Sequence, residues 1–164
     1  MLCAAMNPCP CGRGEVELGC RCKVEEKRRY LKRISGPLLD RIDLRVPVRQ
    51  LSESELLKAP DGESSAVIRQ RVIAARQIQQ ERYAGSGFFS NNQLTPKTMQ
   101  KFCSLTSSGE SLLRDAVNRF KLSPRAYSRI LKVSRTIADL AGSEKIADEH
   151  LFEAINYRKS EFGE

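Results

Sequence analysis

The sequence predicts a mainly helical protein. Three observations carry that expectation. Two cap-proline pairs, Thr95-Pro96 and Ser123-Pro124, each stand directly before an amphipathic stretch. Apolar residues recur at helical spacing over most of the second half of the chain. Only two short stretches, residues 1–6 and 43–48, read as strands. Forty per cent of the 164 residues are hydrophobic and six per cent aromatic, with no Trp, so the core is expected to be aliphatic.

Taken in order, MLCAAM is apolar and runs straight into Asn7, as a buried parallel strand would. Such a strand needs neighbours on both sides, and little else here supplies them. The simplest explanation is that the chain is a piece of a longer protein. Residues 8–24 form a cysteine-rich loop. Glu25 to Ile34 reads as a helix, broken by Ser35-Gly36-Pro37, and Pro37 opens a short turn, LLDRI. DLRVPV alternates from Asp43 to Val48, and Pro47 makes it an edge strand or a strand end. Residues 52–62 read as a polar connection. A long helix follows from about Ser65 to Ala84, ended by Gly85-Ser86-Gly87, and 88–94 link two subdomains. About four helices complete the chain. One starts at Thr95-Pro96, and one runs from Ser107 or Ser108 to about Phe120. The third starts at Ser123-Pro124, with Tyr127, Ile130, Leu131, Ile137, Ala138 and Ala141 as its apolar face. The last runs from Asp148 to about Arg158.

Several function classes are disfavoured by composition. No run of eighteen apolar residues exists, so no membrane span is expected. No basic-then-apolar leader is visible, and the expected compartment is the cytoplasm. The net charge of +8 suits a polyanion such as nucleic acid or nucleotide phosphates, or is simply a basic solvated surface. No nucleophile–His–carboxylate set stands out. His150, the single histidine, reads as an ordinary helix-start residue.

Four of the six cysteines sit in NPCPCGRGEVELGCRC, as Cys9, Cys11, Cys20 and Cys22. Four soft thiolates arriving as two C-x-C pairs can close a tetrahedron around structural zinc. Arg13, Arg21 and Lys23 would offset the negative charge. Two C-x-C disulfides remain an alternative, although each closes a small, strained and easily reduced ring. Cysteines without a role are the third. Zinc is the preferred reading, since a reducing compartment suits clustered thiols.

Asn7, Arg41 and Arg125 matter together more than singly. Arg125 stands at a helix start, where the dipole disfavours a cation; a specific anionic partner is one reading, and an ordinary solvated surface arginine, the commoner case for any one of the three, is the other.

The strings MNPCPCG, RYLKRISGPLLDRIDL and LSPRAYSRILKVSRTIADLAGSEKI resemble the C-terminal part of magnesium-chelatase-like AAA+ ATPases, more narrowly the ComM (YifB-type) branch. The resemblance implies the end of an α/β core over residues 1–62, a bridging helix and linker over 63–94, and a helical-bundle lid over 95–164. It also implies roles. Asn7 matches the sensor-1 residue near the γ-phosphate. Arg41 matches the arginine finger reaching a neighbouring subunit's site. Arg125 matches the sensor-2 arginine of the lid. The family forms rings, typically hexamers, that use ATP and Mg²⁺. The ComM-like branch is linked to DNA branch migration in natural transformation, on branched or single-stranded DNA. No G-x-x-x-x-G-K-[ST] occurs in the chain. The isolated chain is therefore expected neither to hydrolyse ATP nor to bind it tightly. Two other readings stand beside this one: a zinc-stabilised nucleic-acid-binding module without a motor role, and a magnesium-chelatase-type ATPase subunit.

Overall fold

The computed structural model describes residues 2–14, 19–49, 51–57 and 62–158. Met1, the middle of the cysteine loop, part of the 52–62 connection and the last six residues lie outside the described residues. The described residues divide into two compact units, one up to Ile42 and the other beginning at Asp43.

The first unit holds α1 (Val24–Leu31) and α2 (Gly36–Leu39). Glu26 caps α1 by accepting the Lys23 N–H at 2.8 Å. Ser35 caps α2, with Pro37 in its first turn. Among the described residues of 2–42, only Cys9 and Cys20 are buried. This unit has almost no hydrophobic core.

The second unit holds α3 (Glu53–Leu57), α4 (Ser65–Arg82), a 3-10 turn (Asn91–Gln93), α5 (Pro96–Phe102), α6 (Ser107–Phe120), α7 (Pro124–Leu140) and α8 (Asp148–Asn156). Side-chain hydroxyls cap four of these helices. Ser64 accepts from Val67, Thr95 from Thr98, Thr106 from Gly109 and Ser123 from Ala126. Gly142, at φ +67°, lets the Ser143 N–H turn back to the Ala138 carbonyl at 2.8 Å and end α7. Helix α7 is the hub: α4, α5, α8 and the 3-10 turn pack on it, and α6 packs on α8. Leu113, Ile130, Leu131, Ile146, Leu151 and Ile155 fill the core. Tyr83 meets Phe102 edge-on at 5.0 Å.

The expected strands do not form: no strand occurs among the described residues. A strand exists only as part of a ladder, and neither stretch has a partner here. Leu44, Val46 and Val48 still alternate as a strand's apolar face would, yet all three are exposed. The segment is tied to the bundle instead, by the Arg45 N–H to the Tyr157 carbonyl at 3.1 Å and by an Asp43–Arg129 ion pair. The connection read as polar loop contains a helix. Ser52 and Glu55 form a reciprocal cap at the start of α3, the Ser52 N–H donating to Glu55 Oε2 at 2.9 Å.

Candidate functional site

The turn that follows Asn7-Pro8 builds the cysteine site. The Gly12 N–H returns to the Cys9 carbonyl at 3.0 Å, which folds the first C-x-C pair back on itself. Gly14, at φ +75°, approaches so closely that a Cβ there would lie 2.8 Å from Pro8 Cγ, and its N–H points at Cys9 Sγ from 3.3 Å. Lys27 Nζ on α1 donates to the Gly14 carbonyl at 2.6 Å, and Arg13 donates to the Gly19 carbonyl at 3.1 Å. These bonds hold the two cysteine pairs face to face.

All four sulfurs lie within 4.8 Å of one another. Cys9 Sγ is 3.3 Å from Cys11 Sγ and 3.7 Å from Cys20 Sγ, and Cys11 and Cys20 are 3.6 Å apart. These separations are far beyond a disulfide bond, which is about 2.05 Å long. A tetrahedron with zinc–sulfur bonds of about 2.3 Å places its sulfurs roughly 3.8 Å apart. The donor set and its spacing therefore fit zinc.

The thiols' acidities fit it too. Burial opposes ionisation of Cys9, but the Gly14 N–H and the neighbouring Cys11 and Cys20 thiols outweigh it, lowering the group from 9.0 to about 6. The Arg13 backbone N–H lowers Cys11. At Cys22 a backbone bond from Cys11 favours ionisation. The Cys11 sulfur, burial and the other two thiols oppose it, and push the group up to about 12. Four thiolates this close repel one another, and a divalent cation among them removes the conflict.

The other expected site residues are presented to solvent. Asn7 is exposed, its amide beside Gly12. Arg41 is exposed just past α2, and its guanidinium donates back to the Pro37 carbonyl at 3.0 Å. Arg125, in the second unit, is the second residue of α7 and is exposed in a first turn that contains no acidic residue. His150 is buried, and its Nδ1 accepts the Ala147 N–H at 3.1 Å, a structural cap.

One constellation was not anticipated. Asp139, fully buried in α7, accepts from the two terminal nitrogens of Arg82, Nη1 and Nη2, at 3.0 and 2.5 Å and from Arg135 Nε at 3.1 Å. Asn91 Nδ2 donates to it at 2.8 Å, and the Tyr83 hydroxyl donates to Asn91 Oδ1 at 2.6 Å. Arg135 also bonds the Ser143 and Glu144 carbonyls. The network locks α4, the 3-10 turn and the α7–α8 connection onto the helix that carries Arg125.

Residues 62–158 match the family "Magnesium chelatase, subunit ChlI C-terminal", and residues 1–56 match "Magnesium chelatase, subunit ChlI". The chain belongs to the magnesium-chelatase ChlI-like family. Within it, the chain is 45% identical to the competence protein ComM of Haemophilus influenzae over 96% of its own length and 30% of that protein's. It is 42% identical to the uncharacterised protein YifB of Escherichia coli, again over 96% of this chain and 30% of the relative. An uncharacterised protein of Mycobacterium tuberculosis shares 37% identity over 95% of the chain and 31% of that protein's length. The chain thus spans less than a third of these ChlI-like relatives. No helix among the described residues is long and apolar enough to cross a membrane.

Proposed function

We propose that the chain is the sensor and lid portion of a ring-forming, DNA-acting ATPase of the ComM kind. In this reading Asn7 orients the attacking water, Arg41 reaches the nucleotide of a neighbouring subunit, and Arg125 holds the phosphates of its own. ATP and Mg²⁺ bind mainly to parts of the full-length protein outside this chain. Cys9, Cys11, Cys20 and Cys22 hold a structural zinc. The ring is a hexamer, and its work is branch migration of DNA taken up or recombined.

The observation that carries this reading is the placement of Arg125. Its guanidinium is exposed at a helix start that would repel it, on a helix fixed from beneath by the Asp139 network. A cation standing at the positive end of a helix dipole suits an anionic partner, and a phosphate chain supplies one. Positive charge brought to a transferring phosphoryl group stabilises its transition state without reorganisation.

The test is ATP turnover by the full-length protein with and without branched DNA. Arg41→Ala is expected to lower kcat about a thousandfold. Because that arginine acts between subunits, mixing the variant with subunits that lack their phosphate-binding lysine should restore part of the rate. Turnover indifferent to both DNA and Arg41 would sink the reading. The cysteine cluster specifically favours a second one, a zinc-stabilised nucleic-acid-binding module with no motor role. Zinc and DNA binding without ATP turnover in the full-length protein would select it. A magnesium-chelatase-type role would instead give turnover that DNA leaves unchanged.

A further inference from the structure

Between the cysteine turn and α1 runs a groove of about 500 Å³, lined by Pro10, Cys11, Cys22, Glu26, Arg29, Tyr30 and Arg33. Arg29 on α1 and Arg33 in the turn that follows it both line this groove, and both are exposed. Tyr30, half-buried, lines the same groove. The one acid lining the groove among the described residues, Glu26, is committed to capping α1 through the Lys23 N–H. Arg21 and Lys23 are exposed on the segment leading into the helix. We infer that this groove binds single-stranded DNA, with Arg29 and Arg33 on backbone phosphates and Tyr30 and Pro10 offering flat apolar surface to a base.

The physical case is one of matched chemistry. Single-strand sites combine a cationic track for phosphates with an aromatic ring for a base. A duplex buries its base faces and has no use for Tyr30. The competing explanation is that the arginines merely neutralise the cysteine site, since a divalent ion with four thiolates carries two negative charges. Residues 1–42 contain nine Lys and Arg against five Asp and Glu, a balance of +4 that still leaves +2 after such a site is counted. Positive charge therefore remains for an anionic partner. This inference deepens the proposed function and rests on its DNA-acting part.

The experiment is fluorescence anisotropy of a labelled oligothymidylate of about 15 nucleotides, near the upper end of single-strand site sizes. It is titrated with the zinc-loaded chain over a range of salt. Replacing both groove arginines (Arg29→Ala with Arg33→Ala) is expected to weaken binding about tenfold or more. It should also reduce the slope of log K against log salt by about 1.4, two phosphate contacts' worth. Tyr30→Ala is expected to weaken binding about fivefold or more with the salt slope unchanged, and Tyr30→Phe to restore it. The pair Arg28→Ala with Lys32→Ala removes the same charge from α1 and the turn after it but outside the groove, and should cost less than about twofold.

Zinc content is measured on every variant. Groove variants that keep DNA affinity but lose zinc would overturn the inference and assign the arginines to the metal site. So would equal losses from the two charge pairs, oligothymidylate binding that Tyr30→Ala leaves unchanged, or no binding of the oligonucleotide. Those results leave DNA-dependent ATP turnover in the full-length protein untouched, so the two readings fail separately.

Discussion

Asp139 has both carboxylate oxygens engaged inside the bundle, by Arg82, Arg135 and Asn91. Asp139→Ala would leave two guanidinium groups and an amide facing a cavity with no counter-charge. The expected cost is about 3 kcal/mol, near the low end for a broken buried pair because Arg82 retains some contact with water. It would be read as a lower urea midpoint at unchanged m; a shift below about 1 kcal/mol would mean that water replaces the carboxylate. Cys103 gives a pH signature. Burial, against the lowering effect of Arg135 and Arg82, pushes its thiol from 9.0 up to about 11. A raised acid favours the fold while it is neutral. Its contribution is therefore complete below pH 9 and lost as pH rises through 11. Wild type should lose up to about 3 kcal/mol relative to Cys103→Ala across that window, by urea denaturation at each pH. Cys103 is legible as an isolated cysteine in apolar surroundings, whereas the partners of Asp139 are not. On the helix after Ser123-Pro124, Ile130, Leu131 and Ala138 were read as buried and are, whereas Tyr127 is 42% exposed. The stripe turns instead through Ser134, Arg135 and Asp139. A polar pair spaced i, i+4 inside an apolar face is the available signal, but the second guanidinium on Asp139 comes from Arg82, 57 residues away.

Helices could be read because their determinants are local. Caps, prolines and periodicity placed α4, α6 and α7 to within a few residues of where they lie. The missed helix, α3, carries the same signal, Ser52 and Glu55 three apart, in a stretch dismissed as polar. The strands failed for the opposite reason. Leu44, Val46 and Val48 have the right alternation, but a ladder is made by neighbours rather than by the segment itself. Between elements, Thr106 carries two duties at once. Its hydroxyl accepts the Gly109 N–H at 3.0 Å to cap α6 and donates to Asp148 Oδ1 at 2.9 Å in the first turn of α8. Thr106→Ala should therefore loosen two helices, at about 1–2 kcal/mol. Thr106→Ser keeps both bonds and should recover most of it. Hydrogen exchange distinguishes this from an ordinary cap, because amides in the first turns of both α6 and α8 should lose protection together. Loss confined to α6 would separate the helices.

At the scale of the whole chain, the two units differ in what can hold them. The second has a continuous aliphatic core from Tyr83 to Ile155. In the first, the only buried described residues are two of the four clustered cysteines. A unit of roughly 40 residues without a core needs a metal, a disulfide or a partner to stay ordered. The sulfur separations are too long for a disulfide and fit a metal. Metal removal should therefore act on one unit alone. With a strong zinc chelator under reducing conditions, α1 should melt, because its Lys27 anchor to the Gly14 carbonyl depends on the cysteine turn. Trypsin should then cut rapidly at Arg28, Arg29 and Arg33, while residues 95–158 resist digestion and the second unit's thermal transition stays where it was. Cys9→Ser should reproduce the chelated state without chelator, as Cys9 is fully buried and central to the sulfur contacts. Cys103→Ser, equally a buried thiol but set in the aliphatic core, should leave bound zinc at one per chain. If the chelated chain resists trypsin at α1 as the loaded chain does, order in the first unit has a source other than the four sulfurs.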